Sequence, residues 1–156
     1  MSEKDLYRPN VAMIIVSNNY PQKKEIFLAH RNDLADVWQF PQGGIDDGEE
    51  VHEALFRELE EEIGTDEVEV VAEYPEWITY DFPHKIAKTM KPFIGQQQRY
   101  FLVKLKKSAK INIETEYPEF SDYKFVSVDE VLTLSASFKK EVYKSVIKYF
   151  KDEGLL

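Results

Sequence analysis

The sequence contains no cysteine and little histidine or glycine, with three histidines and six glycines in 156 residues. Disulfide bonds, thiolate metal sites and a cysteine nucleophile are therefore excluded. The longest apolar run near the start, VAMIIV, is far shorter than the roughly 20 residues that a membrane-spanning helix needs. The opening MSEKDLYRPN also lacks the apolar stretch of a signal peptide. We therefore expect one soluble, cytoplasmic domain over residues 1–156, with no membrane partner.

Basic residues are in the minority, since 20 Lys and Arg stand against 29 Asp and Glu, for a formal net charge of −9. Proteins that coat duplex nucleic acid are usually basic, so this balance argues against duplex DNA as a partner. The acids are concentrated in residues 46–62, which hold nine acids and one base. Residues 85–110, in contrast, hold eight bases and no acid. These two segments carry the charge patterns that point to function.

Apolar periodicity predicts a strand-rich mixture of strands and helices. Strands are expected at 11–16, 25–29, 67–74, 100–105 and 123–128. Helices are expected at 51–63, where Gly64 ends the helix, and at 138–150. Ser127 and Glu130 have the spacing of a capping box ahead of a further short helix. Residues 38–50, WQFPQGGIDDGEE, are predicted to form a loop, and the whole pattern indicates an α+β fold.

The predicted helix over 51–63 carries three glutamates along one edge. At about 100° per residue, Glu58, Glu61 and Glu62 fall within an arc of roughly 100°, next to the apolar, inward side. Like charges four residues apart oppose helix formation by about 0.2–0.5 kcal/mol, and the helix dipole disfavours acids in the last turn. Such a group must bind cations or hold a proton, unless it is a solvated acidic face. All-oxygen ligands favour Mg²⁺ or Mn²⁺.

The segment that contains these glutamates resembles the Nudix box, whose pattern is G-x5-E-x7-R-E-U-x-E-E-x-G-U with U aliphatic. The matching positions are Gly43, Glu49, Arg57, Glu58, Leu59, Glu61, Glu62 and Gly64. Thr65, in the last aliphatic position, is the one departure. The resemblance implies a hydrolase of nucleoside diphosphates linked to another group, folded as an α/β/α sandwich around a mixed β-sheet.

The same resemblance assigns roles to the residues of the box. Glu58, Glu61 and Glu62 are the implied metal ligands, and Glu58 and Glu61 are also placed in catalysis. Gly43 permits close approach of the backbone to the metal. Glu49 and Arg57 are implied to form a salt bridge that fixes the loop against the helix. A Nudix module that binds nucleotides without turnover would have lost box carboxylates, and none is lost here.

Further segments lie outside the helix and its glutamates: YRPNVAMII near the start, WQFPQGG at 38–44, YDFP at 80–83, GQQQRYFLV at 95–103, YPEF at 117–120 and SFKKEVYKSV at 137–146. They resemble the bacterial RNA pyrophosphohydrolase subfamily, which removes pyrophosphate from the 5′ end of triphosphorylated RNA and so promotes mRNA decay. Close relatives cleave dinucleoside polyphosphates such as diadenosine tetraphosphate, and this substrate is the alternative. The resemblance implies phosphate contacts by Arg8 and Lys139 and stacking of a base on Phe138. The further implied site residues are Gln96 and Gln98 near the phosphates, Glu119 as a metal ligand or base, and Tyr80 and Arg31 as substrate contacts.

Each of these substrate residues also has a structural interpretation. Phe138 has the periodicity of a core residue, and Arg8 and Lys139 could be ordinary surface charges. Gln96 and Gln98 are two residues apart, as on one polar face of a strand. Tyr80 could close an edge of the core. Protein partners and the oligomeric state are left open by the sequence.

Overall fold

The computed structural model describes residues 3–33 and 37–156. Eight strands run in chain order as β1 (Tyr7–Val16), β2 (Glu25–Arg31), β3 (Trp38–Gln39), β4 (Gln42–Gly44), β5 (Val68–Glu73), β6 (Ile78–Asp81), β7 (Gly95–Leu105) and β8 (Phe120–Ser127). The helices are α1 (Val51–Ile63), α2 (His84–Ala87), α3 (Val128–Leu134) and α4 (Lys140–Asp152). Short 3-10 turns form at Glu3–Leu6 and Ser137–Lys139. None of the helices in the described ranges is long and apolar enough to cross a membrane.

The predicted helix over 51–63 is confirmed, and its ends have a local cause. Glu50 and Glu53 form a capping box at the start, which satisfies backbone N–H groups that have no partner within the helix. Gly64 ends the helix with a φ of 76°, a left-handed conformation that side chains disfavour. The capping box of Ser127 and Glu130 is also present, at the start of α3.

The prediction of a plain loop over 38–50 is wrong, because β3 and β4 lie within it. Gly43 and Gly44 of β4 pair with Val11 and Asn10 of β1, partners more than thirty residues away in the chain. Local sequence carries no signal for such a pairing, and two glycines in a short strand argue against one. β6 and α2 were not predicted either, since neither is long enough to show a period.

All eight strands belong to one mixed sheet with the main order β3-β2-β1-β7-β5. β1 and β7 are parallel along their whole length, from Tyr7 opposite Gly95 to Val16 opposite Lys104. The other pairs are antiparallel, including β1 with β4 and β6 with β7. The first residues of β1 and β7 therefore lie beside the last residues of β4 and β6, at one end of the sheet.

The central strand β1 is buried on both faces, and its side chains alternate between two cores. Ile14 and Val16 belong to the core that contains Val146 and Phe150 of α4. Met13 and Ile15 belong to the opposite core, which contains residues of α1 (Leu55, Leu59 and Ile63). The sheet thus lies between helices on both faces, and the predicted α/β/α sandwich is confirmed. Since α1 contacts both β1 and β4, its acidic edge lies beside the glycines of β4.

Candidate active site

A pocket of ≈ 570 Å³ lies where β4, the ends of β6 and β7, and α1 meet. Its side chains fall into four chemical groups. The carboxylates are Asp33, Glu58, Glu61, Glu62 and Glu119, and the cations are Arg8, Arg31 and Lys139. The amides are Asn10, Asn32, Gln39, Gln42 and Gln96, and the apolar and aromatic members are Tyr80, Phe82, Ile86, Met90 and Phe138. Of the predicted substrate and metal residues, the pocket brings together all but Gln98.

The four glutamates form one end of the pocket, which we call the acidic end (Glu58, Glu61, Glu62 and Glu119). Glu58 is 5% exposed and Glu62 is 8% exposed, although they belong to the edge of an amphipathic helix. Burial raises the pKa of Glu58 to about 7, even though Arg57 acts in the opposite direction. Burial, with repulsion from Glu119 and Glu58, raises the pKa of Glu62 well above its ordinary value. Glu61 lies on the same edge but is exposed.

Arg57 connects the acidic end to the loop before α1. Its Nε and Nη2 atoms donate to the two carboxylate oxygens of Glu49 at 2.7 and 2.8 Å, which is the bidentate geometry of a strong ion pair. Nη1 donates to Glu58 at 2.9 Å and to Glu61 at 3.2 Å, and Nη2 also donates to the Gly44 carbonyl at 2.8 Å. The hydrogen bonds that Arg57 donates to Glu49 lower the pKa of Glu49 to about 2. The contact between Glu49 and Arg57 is the one that the box implies.

Glu119 reaches the acidic end from another part of the chain, just before β8. Its backbone carbonyl accepts a hydrogen bond from Asn32 N at 3.0 Å, which holds the two segments together. The charge of its carboxylate contributes to the raised pKa of Glu62. Repulsion between these carboxylates favours a bound cation or a proton at the acidic end.

The chemistry of the acidic end fits a hard divalent cation, which takes carboxylate and carbonyl oxygens. A Cβ atom on Gly43 would overlap the carboxyl group of Glu58, so only glycine lets the backbone come this close to the cluster. In the described ranges, no group of three or more His, Cys, Asp or Glu side chains is already arranged around one point as a metal site. Arg57 instead holds Glu58 and Glu61. The assignment of Glu58, Glu61, Glu62, Glu119 and Gly43 as ligands stays a prediction.

Across the pocket lies a group of buried amides around one lysine, which we call the amide end (Gln39, Gln42, Gln96, Gln98 and Lys139). Lys139 is 4% exposed, so it is not an ordinary surface charge. Its Nζ atom donates to Gln39 Oε1 at 3.3 Å and to Gln42 Oε1 at 3.4 Å. Among the described residues, no carboxylate is within ion-pair distance of Lys139. Burial lowers the pKa of Lys139 to about 7.

Gln98 is fully buried and lies behind the pocket wall instead of lining it. Its Nε2 atom donates to Asn10 Oδ1 at 2.8 Å and to Gln42 Oε1 at 2.9 Å. Tyr100 donates to Gln98 Oε1 at 2.8 Å. These bonds fix the amide of Gln42, whose oxygen then faces Lys139. Gln98 therefore contacts Gln42, which lines the pocket, and holds the Gln42 amide in position.

Two arginines lie beside the amide end. A Cβ atom on Gly44 would overlap the guanidinium of Arg8, so the second glycine of the GG pair makes room for this cation. Arg31 forms two hydrogen bonds with Asp33, at 2.8 and 2.5 Å, in the short turn after β2. Arg8 is thus placed at the junction of the two ends of the pocket, whereas Arg31 is held by its own acid.

Aromatic side chains form the remaining wall. The Tyr80 ring lies 5.9 Å from that of Phe138 and 6.1 Å from that of Phe82, and the Tyr80 hydroxyl donates to Gln96 Oε1 at 3.2 Å. Phe138 is partly buried and lines the pocket as well as contacting the core around α4. The pure core interpretation of Phe138 is therefore wrong, because its ring is shared between the core and the pocket.

Sequence reasoning missed several pocket residues. Gln39 and Gln42 lie on either side of Phe40 and Pro41 in the WQFPQGG segment, whose local pattern predicts only a loop. Ile86 and Met90 come from α2 and the turn after it, an element that was not predicted. A signal was available for the glutamines, because two amides next to a Gly-Gly pair are unusual in a simple loop. No comparable signal marks Ile86 or Met90.

Comparisons with known proteins agree with this geometry. The NUDIX domain model matches residues 6–146. A protein named RNA pyrophosphohydrolase from a Nitratiruptor species is 60% identical over 152 residues, which cover 97% of this chain and 98% of the relative. Another of that name, from Campylobacter jejuni subsp. jejuni, is 58% identical over 156 residues and covers 100% of both chains.

Among solved structures, the E. coli dihydroneopterin triphosphate pyrophosphohydrolase superposes with a TM-score of 0.70. The match covers 92% of this chain and 98% of that one at 16% identity, so what the two share is the fold. The family model and the two full-length relatives identify the family, whereas the structural match shows only the fold. The chain belongs to the NUDIX family.

Proposed function

We propose that this chain is a Mg²⁺-dependent hydrolase that removes pyrophosphate from the 5′ end of triphosphorylated RNA. Two relatives at 58–60% identity over nearly the whole chain bear the name RNA pyrophosphohydrolase, which supports this substrate. The observation that carries the proposal is that one pocket contains two buried glutamates, Glu58 and Glu62, and the buried Lys139, which has no carboxylate partner among the described residues. Mn²⁺ is the alternative ion, and the cytoplasm, where transcripts are made, is the proposed compartment.

In this proposal each group of the pocket has a task. Glu58, Glu61, Glu62 and Glu119, with Gly43, hold the divalent cation, which when bound neutralises phosphate oxygens and lowers the pKa of a water molecule. Lys139 and Arg8 bind the phosphates by charge-assisted hydrogen bonds, and the Gln96 amide contributes a polar contact. Arg31 adds a further cation near the mouth of the pocket. The ion pair of Arg57 and Glu49 fixes the preceding loop against α1.

The reaction is a hydrolysis that needs no redox partner. The oxygen of a water molecule forms a bond to phosphorus while one phosphoanhydride bond breaks, and the products are pyrophosphate and RNA with a 5′ monophosphate. The proposed acceptors of the water proton are Glu58, whose pKa is raised to about 7 by burial, and its neighbours Glu61 and Glu119. The rings of Phe138 and Tyr80 offer stacking surfaces to the first bases, with no preference for sequence.

Product analysis with 5′-triphosphorylated RNA and with diadenosine tetraphosphate at matched concentrations tests the proposal. We expect pyrophosphate and 5′-monophosphorylated RNA as products, with activity lost on chelation and restored by Mg²⁺. A large kinetic preference for the dinucleotide would reassign the chain to the dinucleoside polyphosphate hydrolases. Binding of either substrate without hydrolysis, with Mg²⁺ and with Mn²⁺, would indicate a nucleotide-binding module.

A further inference from the structure

A second pocket, of ≈ 630 Å³, lies outside the active site. Its lining includes apolar residues (Ala87, Phe93 and Ile94) and residues that can carry positive charge (His84, Lys88 and Lys91). We call it the α2 groove. Ile94 is 40% exposed, so part of this apolar side chain is open to solvent. The proposed hydrolysis makes no use of the groove.

The helical segment after Pro83 separates the groove from the active-site pocket. Backbone N–H groups of residues 86–90 donate to carbonyls three or four residues earlier, so the segment has two distinct faces. Ile86 and Met90 line the active-site pocket, whereas Lys88 and Lys91 line the groove. A helix with its side chains is only about 10–12 Å across. A chain that leaves the active site over this segment enters the groove directly.

Exposed lysines line the groove (Lys88 and Lys91) or lie beside it (Lys85). Lys85, Lys88 and Lys91 are exposed, and within the described part of the chain none of the three forms an ion pair. Lys148 of α4, by contrast, pairs with Asp152 at 2.6 Å. In a protein with a net charge of −9, such a strip favours a polyanionic ligand. Apolar side chains beside unpaired lysines are the composition of a single-strand binding track.

We propose that the α2 groove binds the single-stranded RNA that follows the 5′ end held in the active site. This inference rests on the proposed function, because a 5′ end in the pocket is what brings the rest of the strand to α2. Lys88 and Lys91 contact backbone phosphates, and Phe93 and Ile94 offer an apolar surface to a base or a sugar. The groove thereby gives an acidic enzyme a preference for RNA over short nucleotides.

The test compares a triphosphorylated dinucleotide, too short to cross α2, with an unstructured RNA of the same 5′ sequence about ten nucleotides longer. The test variant is Lys88→Gln/Lys91→Gln. The control is Lys106→Gln/Lys107→Gln, which removes the same charge from two exposed lysines beyond the other end of β7. At roughly 3.3 Å per residue, the 11 residues of β7 separate the two pairs by about 35 Å.

We expect the α2 variant to lose about tenfold in kcat/KM on the longer RNA and to retain wild-type kinetics on the dinucleotide. The slope of log kcat/KM against log salt should become shallower by about 0.7 per lysine for the longer RNA. The control variant should keep the wild-type slope. Equal slopes in the two variants would overturn the inference. The groove would then bind a protein partner or no ligand. If the wild type cleaves neither RNA, the proposed function itself fails, and that result is distinct from equal slopes.

Discussion

The two ends of the active-site pocket differ in the charge that they can still attract. The acidic end has more carboxylates than cations and attracts positive charge, whereas the amide end contains a lysine and attracts negative charge. At the acidic end, burial and repulsion from neighbouring carboxylates raise the pKa of Glu58 and of Glu62, so these two groups are harder to ionise. At the amide end, burial lowers the pKa of Lys139 and so makes it harder to protonate. Arg57 compensates only part of the negative charge at the acidic end, and no carboxylate among the described residues pairs with Lys139 at the amide end. A bound cation satisfies the first and a phosphate group satisfies the second.

This comparison explains why the two ends are supported differently. The acidic end is held by a cation from its own helix, Arg57, whose bonds to Glu49 fix the loop. The amide end is held by neutral groups, because Gln98 orients Gln42 and Gln42 faces Lys139. Neutral amides position the lysine without cancelling its charge. This arrangement leaves attraction for phosphate in the pocket while keeping its geometry fixed.

The largest effect is expected from breaking the acidic end at its most buried carboxylate. Glu58→Gln should lower kcat by about 10²–10³-fold, because it removes a metal ligand and a charge without changing the size of the side chain. The matched control is Glu60→Gln on the exposed face of the same helix, which should retain wild-type activity. Steady-state kinetics with circular dichroism on both variants provides the measurement. Near-normal turnover in Glu58→Gln would contradict the metal assignment.

Breaking the amide end should act on binding more than on chemistry. Lys139→Met keeps the length of the side chain but removes the ammonium group, and it should raise KM by the equivalent of about 1–3 kcal/mol. Lys139→Arg should recover part of the loss, because a cation is restored. Lys140→Met, at the neighbouring position outside the pocket, is the control. If Lys139→Met leaves both KM and kcat unchanged, the lysine has no contact with substrate.

The comparison also shows what the sequence could reveal. The acidic end was predictable because Glu58, Glu61 and Glu62 share one helix, where spacing alone fixes their relative positions. Glu119 comes from a distant segment, and only the family resemblance indicated it. Five of the eight strands and both main helices followed from apolar periodicity, since long elements carry several periods of signal.

The amide end was less predictable because long-range pairing creates it. Gln42 joins it through the pairing of β4 with β1, and Gln96 and Gln98 are placed by β7. Burial of Lys139 could not be inferred from a local pattern that fits a surface lysine equally well. The same limit applies to the α2 groove, where the sequence indicated a basic stretch but no pocket.

The smallest effects concern stability, and they should have opposite dependence on pH at the two ends. The folded state binds more protons than the unfolded state at Glu62, whose pKa is raised from its ordinary 4.5. Its unfavourable contribution therefore grows as pH rises above about 4.5. At Lys139 the unfolded state binds more protons between the folded pKa of about 7 and the ordinary 10.5. The cost of burying this lysine is therefore complete below pH 7 and is relieved as pH rises.

Urea unfolding with a chelator present, at about pH 5.5 and about pH 8.5, tests this contrast. Glu62→Gln should stabilise the protein more at the higher pH, and Lys139→Met should stabilise it more at the lower pH. The expected change between the two conditions is about 1–2 kcal/mol for each variant, since one pKa unit corresponds to about 1.4 kcal/mol. Glu60→Gln and Lys140→Met should show no such trend. If both site variants change in the same direction with pH, the two ends do not have opposite charge deficits, and substrate binding must be explained without them.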